Sequence, residues 1–443
     1  MNFIRKNYRI IIFGFILFVR LFILNVIFYE YDATWEYGFC HAFVIGETPY
    51  VDFNIISTPL FIFLFSLGLF IKDSFIVFLI ESFILNIVVF YFVDKIIKNK
   101  SIIYICTLCG AFFYALIPTY NYLAFSIVIL LLCIEKLEYS DKLIGFFWGL
   151  LILSKHTIGL PIVFIVLVGL LIKKVELKKV VYRILYMFIP LLLFFAYLVL
   201  SKSLFAFFDL SIAGLFEFAS KNSKISIYFL VSLIILIYTS YILIKQKNNI
   251  LIYYLLGSFM FVLPLFDKSH ISFYLMILIF VFLCNNNSKL PTYGFIYFWL
   301  FIFMATSFVY YYSIYDKLVL SKANHYEYLL MDSVFEKSIN EVHKKLSKYE
   351  KYYMIDGLNM YYDIVYDREI TYYDVPLYGN FGYNGSKKFV DMIKNEKDCY
   401  FVITNNEKRL NPGDQFNHEA YNYIKNNFLK VDSIGGFSVY YKE

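Results

Sequence analysis

Long apolar runs separated by short polar breaks fill the first 313 residues of the chain. About 20 apolar residues in a helix cross a hydrocarbon core about 30 Å thick. Spans are expected at 10–29, 74–93, 102–118, 122–134, 143–154, 157–172, 184–200, 225–244, 250–266, 271–284 and 293–313. The run at 60–71 is shorter, and Lys72-Asp73 interrupts it. If that run crossed, the basic stretch Asp94–Lys100 would lie outside. Read as a juxtamembrane helix, it leaves the stretch inside, as the cytoplasmic bias of Lys and Arg requires. The pattern predicts about eleven crossings, with the N-terminus cytoplasmic behind Arg5, Lys6 and Arg9 and the C-terminal part outside. No small-residue cleavage site follows the first run, so it is expected to remain as an anchor. Between spans, Ser201–Lys224 has the mixed pattern of an amphipathic helix lying on the membrane surface.

From Tyr315 onward the sequence is charged and rich in turns. Lys322–Tyr349 reads as an amphipathic helix. Short β-type runs are expected at Tyr352–Ile355, Ile370–Tyr373, Cys399–Thr404 and Phe437–Tyr441, with helices near 386–395 and 417–427 between them. The expected fold is a polytopic α-helical membrane protein with a small C-terminal extracytoplasmic α/β domain. Residues 1–314 form the membrane domain, with an outer loop at 30–73, and residues 315–443 the outer domain. The glycine-rich loop Gly379–Gly385 lacks the spacing of a phosphate-binding loop and is expected to be a turn.

Composition narrows the classes. Apolar residues make up 60% of the chain and mean hydropathy is +0.64, whereas soluble domains hold about 45–50% apolar residues. The net charge of +6 sits in short loops between spans, which is a topology signal and not a nucleic-acid surface. The six cysteines are scattered. Cys106 and Cys109 form a C-x-x-C inside an apolar run with no second pair, which reads as packing. No internal repeat of the kind found in transporters is present.

One polar stretch departs from the rest. Glu30–Thr58 carries five carboxylates (Glu30, Asp32, Glu36, Glu47 and Asp52) and no Lys or Arg. Asp32 follows the first outward-going span and therefore lies at the membrane surface. If the next segment is helical, Glu36 shares its face one turn on. A carboxylate at the bilayer rim, shielded by Trp35 and Tyr31 yet reachable from water, is a candidate general base. Gly46, Pro49, Pro59 and the aromatics fix the path of the loop more than a solvated tether needs.

An acid just after the first span, then Gly46-Glu47-Thr48-Pro49-Tyr50-Val51-Asp52, then Pro59-Leu60 opening an apolar helix, resembles the first outer loop of the GT-C glycosyltransferases. The resemblance is to their protein mannosyltransferase-like and aminoarabinose transferase-like branch. Leu153–Leu160, with Ser154-Lys155-His156-Thr157, is similar to that branch's turn between two spans, and Asp267-Lys268-Ser269-His270 to an outer turn of bacterial members. The resemblance implies transfer of a sugar, with inversion, from a polyprenyl-phosphate-linked donor to a glycan, lipid or protein acceptor on the outer face. Phosphate leaves readily, so the enzyme needs a base for the acceptor and cations for the departing phosphate. Asp32 is then the base, supported by Glu36 and Asp52, while Lys155, His156, Lys268 and His270 hold the donor phosphate. The chain departs from the family pattern at Ala33, where relatives often carry a second acid, at Thr58, where many carry Lys, and near Asn121, where some carry an acid.

No cofactor is required by the sequence. A divalent metal is compatible with the five carboxylates, although they lack an ordered ligand spacing. Two other readings share the lipid-linked substrate: a transporter or flippase of a lipid-linked glycan, and a polysaccharide polymerase or ligase. A transporter places paired charges mid-membrane, whereas here the ionisable groups cluster on one face.

Overall fold

The computed structural model describes residues 2–23, 31–97, 118–222, 227–245, 250–263, 268–284, 312, 315–371, 376–377, 379–405 and 418–443. The chain divides into two compact units. The first comprises Met1–Leu24, Leu79–Ala196 and Ser223–Ser313; the second comprises Asn25–Phe78, Tyr197–Asn222 and Ile314–Glu443. Two loops of the N-terminal half, 25–78 and 197–222, thus group with the C-terminal segment.

The first unit is helical. Asn2–Phe18 continues as a π turn, Val19–Ile23. There follow most of Phe75–Ile96, then Tyr120–Lys136, Asp141–Ser154, His156–Ile172, most of Leu177–Leu200, Ile227–Lys245, Ile250–Gly257 and Lys268–Cys284. Helices fall at the expected positions, although the one at Ile250–Gly257 gives way to a 3-10 turn at Ser258–Val262; 102–117 and 293–311 lie outside the described residues, as does the Cys106/Cys109 pair. Phe75–Ile96 and Leu177–Leu200 are each long and apolar enough to cross a membrane. On the latter, Leu185, Phe188, Leu192 and Phe195 are exposed along one face, an apolar stripe that suits lipid rather than water.

Local chemistry sets the helix ends. The Thr119 hydroxyl accepts the Tyr122 amide at 3.2 Å and caps Tyr120–Lys136, and Ser140 caps Asp141–Ser154. Lys155 alone, extended at φ −158° and ψ 98°, separates Asp141–Ser154 from His156–Ile172. Gly145 and Gly149 are spaced as G-x-x-x-G, and the backbone of Leu177–Leu200 comes up against them. A β carbon at Gly145 would collide with the Arg183 carbonyl, and one at Gly149 with the Met187 carbonyl.

The second unit begins with the helix Tyr31–Val44 and the loop to Pro59. Leu60–Phe65 is a helix of only 6 residues that passes into turns up to Ile71, far shorter than a crossing. Within the stretch expected to be helical, the chain forms Leu204–Phe207, a π turn at Phe208–Ala213, and Gly214–Asn222. Two strands, β1 (Leu318–Leu320) and β2 (Leu330–Asp332), pair antiparallel. A second sheet contains β3 (Tyr352–Ile355), β4 (Cys399–Thr404), β5 (Leu429–Ile434) and β6 (Phe437–Lys442) in the order β3-β4-β6-β5, with only β3–β4 parallel. Gly435 and Gly436, at φ +52° and +89°, make the two-residue hairpin between β5 and β6. The helices Gly385–Asn395 and His418–Asn427 cover the sheet through Phe389, Ile393, Ala420 and Ile424 against Phe401 and Ile403.

Some details differ from expectation or sharpen it. The helix expected from Lys322 starts at Ser333, because Asp332 accepts the Val334 and Phe335 amides as its cap and Leu330–Asp332 is drawn into β2. Ile370 and Thr371 are not in a strand, and Tyr372 and Tyr373 lie outside the described residues. The glycine-rich loop is a turn, as expected, but a held one. Asp209 accepts the Tyr383 amide at 2.9 Å and occupies the space a β carbon at Gly382 (φ +74°) would need. Glu217 accepts the Gly385 and Ser386 amides at 2.6 and 3.2 Å, an acid at the start of a helix.

Candidate active site

In the second unit, Tyr31–Val44 carries two of the predicted acids. Asp32 is exposed in its first turn, and Glu36, one turn on, is buried. The helix is held by its other faces. Trp35 donates its indole N–H to the Gly357 carbonyl at 2.9 Å, and Gly38 lies so close to Met360 that a β carbon would meet its methyl at 2.9 Å. The C-terminal segment therefore packs directly on the helix that bears Asp32 and Glu36.

The loop that follows is shaped by its own polar groups. Gly46 sits at φ +104° and Tyr50 at φ +69°, both in the left-handed region. The Tyr50 hydroxyl reaches across the loop to the Ser57 carbonyl at 2.7 Å, and Phe53 stacks on Phe39. Asp52, the third predicted acid, is exposed, and its carboxylate accepts the Thr48 amide at 2.7 Å, closing the Thr48–Asp52 turn. Glu47, one of the five acids of the loop but given no role from the sequence, is half-buried here. Burial first, then the charges of Asp52 and Glu369, raise its carboxyl to about 7. The signal was its place within the Gly46–Asp52 motif, flanked by residues that force the chain to turn.

In the first unit, the Lys155 ammonium donates to Asn121 Oδ1 at 2.5 Å and lies 5.1 Å from the centre of the Tyr120 ring. Asn121 is buried; it stands at the position where some relatives of the resembled family carry an acid, and here it orients the lysine. His156, also buried, is the first residue of its helix. His270 is buried in the first turn of Lys268–Cys284; the Lys268 side chain lies outside the described residues. Phe125 and Phe273, each early in its helix, meet at 5.4 Å. Lys155 and His156 thus stand at one end of this unit beside the start of Tyr120–Lys136, whose Phe125 meets Phe273 of the helix that carries His270. Helix N-termini carry partial positive charge and unpaired N–H groups, so that end favours an anion. The acids and the cations thus belong to different units.

No family model matches the sequence, and neither does any curated protein. Solved structures do. The crystal structure of ArnT from Cupriavidus metallidurans bound to undecaprenyl phosphate aligns with a TM-score of 0.59 at 10% identity, covering 98% of this chain and 97% of that one. The fold is ArnT-like. The apo structure of the same protein aligns with a TM-score of 0.56, also at 10% identity, over 96% of this chain and 95% of that one. The resemblance read from the loop motifs is therefore met, at the level of the fold, over nearly the whole chain.

Proposed function

We propose that this protein is a membrane glycosyltransferase that moves a sugar from a polyprenyl-phosphate donor to a glycan, lipid or protein acceptor at the extracytoplasmic face. The observation that carries the reading is the ArnT-like fold over 98% of the chain, shared with a protein seen bound to undecaprenyl phosphate. In the proposed reaction the acceptor hydroxyl or amine attacks the anomeric carbon, and the bond from that carbon to the phosphate oxygen breaks. The polyprenyl phosphate leaves with the electron pair, and the acceptor proton passes to Asp32. One displacement inverts the anomeric centre. The leaving group is stable as an anion, so the chemistry needs a base and cationic stabilisation rather than a general acid.

Asp32 suits the base because it is exposed to an incoming acceptor, while Glu36 and Asp52 shape its surroundings. Lys155, held by Asn121, with His156, Lys268 and His270, would bind the donor phosphate at the helix starts. The N-terminus lies in the cytoplasm and residues 315–443 outside. Purified protein given a radiolabelled polyprenyl-phosphate monosaccharide and an envelope extract as acceptor should release label to that acceptor. Asp32→Asn should lose about 10²–10⁴-fold in rate while keeping its yield and elution volume. Wild-type turnover in that variant would remove Asp32 from the mechanism, and uptake of the lipid without bond breakage would remove the transferase reading.

A further inference from the structure

The second unit holds a cluster that the transfer chemistry does not use. His41 comes from Tyr31–Val44, Asp73 from the turn before Phe75, and His325 from the turn between β1 and β2. One ligand atom from each lies within 4.8 Å of the others. Asp73 Oδ2 is 2.5 Å from His41 Nδ1 and 3.6 Å from His325 Nδ1. The two imidazole rings face each other edge-on at 5.1 Å.

We infer that His41, Asp73 and His325 form a structural zinc site. Two imidazoles and one carboxylate are a donor set for zinc or a similar borderline divalent ion, not for magnesium or calcium, which take mostly oxygen ligands. Bonds of about 2.0–2.1 Å in a tetrahedral site place ligand atoms about 3.3 Å apart. The two measured separations straddle that value, so shifts of under about 1 Å would complete the geometry. Without the ion, His41 Nδ1 shares a hydrogen bond with Asp73 Oδ2, and His325 Nδ1 lies 2.9 Å from the Asp73 backbone carbonyl; an ion would displace the ring protons that make these contacts and release them.

The surroundings are those of an oriented site. The Tyr37 hydroxyl donates to Asp73 Oδ1 at 2.9 Å, which turns Oδ2 toward the two histidines. Asp367 Oδ1 lies 3.8 Å from His325 Nε2, the ring nitrogen away from the cluster, and is itself held by Asn324 at 2.7 Å. At that distance the carboxylate makes no hydrogen bond to the ring, but its charge favours an imidazole that is bound to a cation. His325 occupies the left-handed region at φ +63°, and its carbonyl accepts the Phe75 amide at 2.8 Å. That contact keeps a costly backbone conformation in place, with the ring on Asp73. The Tyr37 ring packs edge-on against Phe75 and Tyr326, which stack on each other, while Asp73 and His325 stay partly exposed. The ion would tie three segments far apart in sequence, 31–44, 72–75 and 321–328, into one piece. None of the five acids of the Glu30–Thr58 loop takes part.

The test uses the full-length chain, purified in detergent through a tag without histidine, with metal content measured by inductively coupled plasma mass spectrometry. Wild type should carry one equivalent of zinc, and His41→Gln and His325→Gln should each lose most of it. Stripped wild type should regain thermal stability on adding zinc, and on adding cobalt(II) should show the visible bands of a tetrahedral N/O site. Should the glutamine variants fail to fold, the cobalt titration of wild type decides alone. Absence of those bands, or zinc retained equally by both variants, overturns the assignment.

Discussion

Arg183 falls between two expected spans, where a charge reads as a topology signal, yet it lies on the helix Leu177–Leu200 and is the centre of a buried network. Its guanidinium donates to Glu135 Oε1 and Oε2 at 2.5 and 3.2 Å and to Asp141 Oδ1 at 2.7 Å. The side chains of Arg183 and Glu135 are only 8% and 5% exposed. The Tyr254 hydroxyl adds a bond to Glu135 at 3.0 Å, and the Trp148 indole donates to that hydroxyl at 2.7 Å. Arg183→Met keeps the aliphatic bulk but removes three charge-assisted bonds and strands the Glu135 carboxylate. Breaking one side of a buried pair costs about 3–5 kcal/mol, whereas replacing both sides is close to neutral. At about 2–4 °C per kcal/mol for a unit of this size, the variant should melt on the order of 10 °C lower. Adding Glu135→Gln should recover more than half of that loss, because the stranded charge disappears while Tyr254 keeps an acceptor. Tryptophan-fluorescence melting in detergent, with size-exclusion chromatography as a check on folding, reads both variants. A single variant within about 2 °C of wild type, or a double variant worse than the sum of the singles, would refute the reasoning.

Glu47 makes a pH-dependent prediction. Its carboxyl is raised to about 7 in the folded chain, so the stability it contributes is complete below the ordinary carboxylate pKa and is lost as pH rises through about 7. Glu47→Gln should therefore match wild type in melting near pH 5 and exceed it at pH 8.5; the gain is small, because the group is only half-buried. Lys155→Gln should raise the donor KM about 10–100-fold, the worth of one charge-assisted bond, with little change in melting. An unchanged KM would place the donor phosphate elsewhere. Gly145→Val drives a side chain into the Arg183 carbonyl and should cost about 1–3 kcal/mol or more, read as lower melting and yield. Normal stability would mean that the two helices pack with a gap.

The sequence made the apolar periodicity legible, and with it most helices of the first unit, because lipid-facing and buried positions both demand apolar residues. It also showed that Leu60–Ile71 is too short to cross, and that Lys155 and His156 stand at a break between spans. β5 was missed because Leu429–Lys430-Val431-Asp432 lies exposed at the sheet edge, where no burial alternation marks it. The start of the helix after β2 was missed because Asp332 both ends a strand and caps a helix. G-x-x-x-G at Gly145 and Gly149 was readable but only means something once the partner backbone is known.

The residues with the most distinctive chemistry were the least legible, and for one reason. His41, Asp73 and His325 are separated by 32 and 252 residues, and Arg183 reaches back 42 and 48 residues for its partners. No local spacing rule joins such positions, since motif rules work only where one helix or one loop supplies the whole set. Taken singly, Arg183 is a charge between spans, Asp73 an interruption of an apolar run, and His325 a position in the expected amphipathic helix. The C-terminal segment makes the same point at larger scale. Its composition identifies a water-facing α/β layer, but that this layer supports the helix of Asp32 and Glu36 follows from Gly357 and Met360, which contact Trp35 and Gly38. Separating that segment from the N-terminal loop would therefore remove the support of the proposed base, and the predicted signature is loss of rate with donor binding retained.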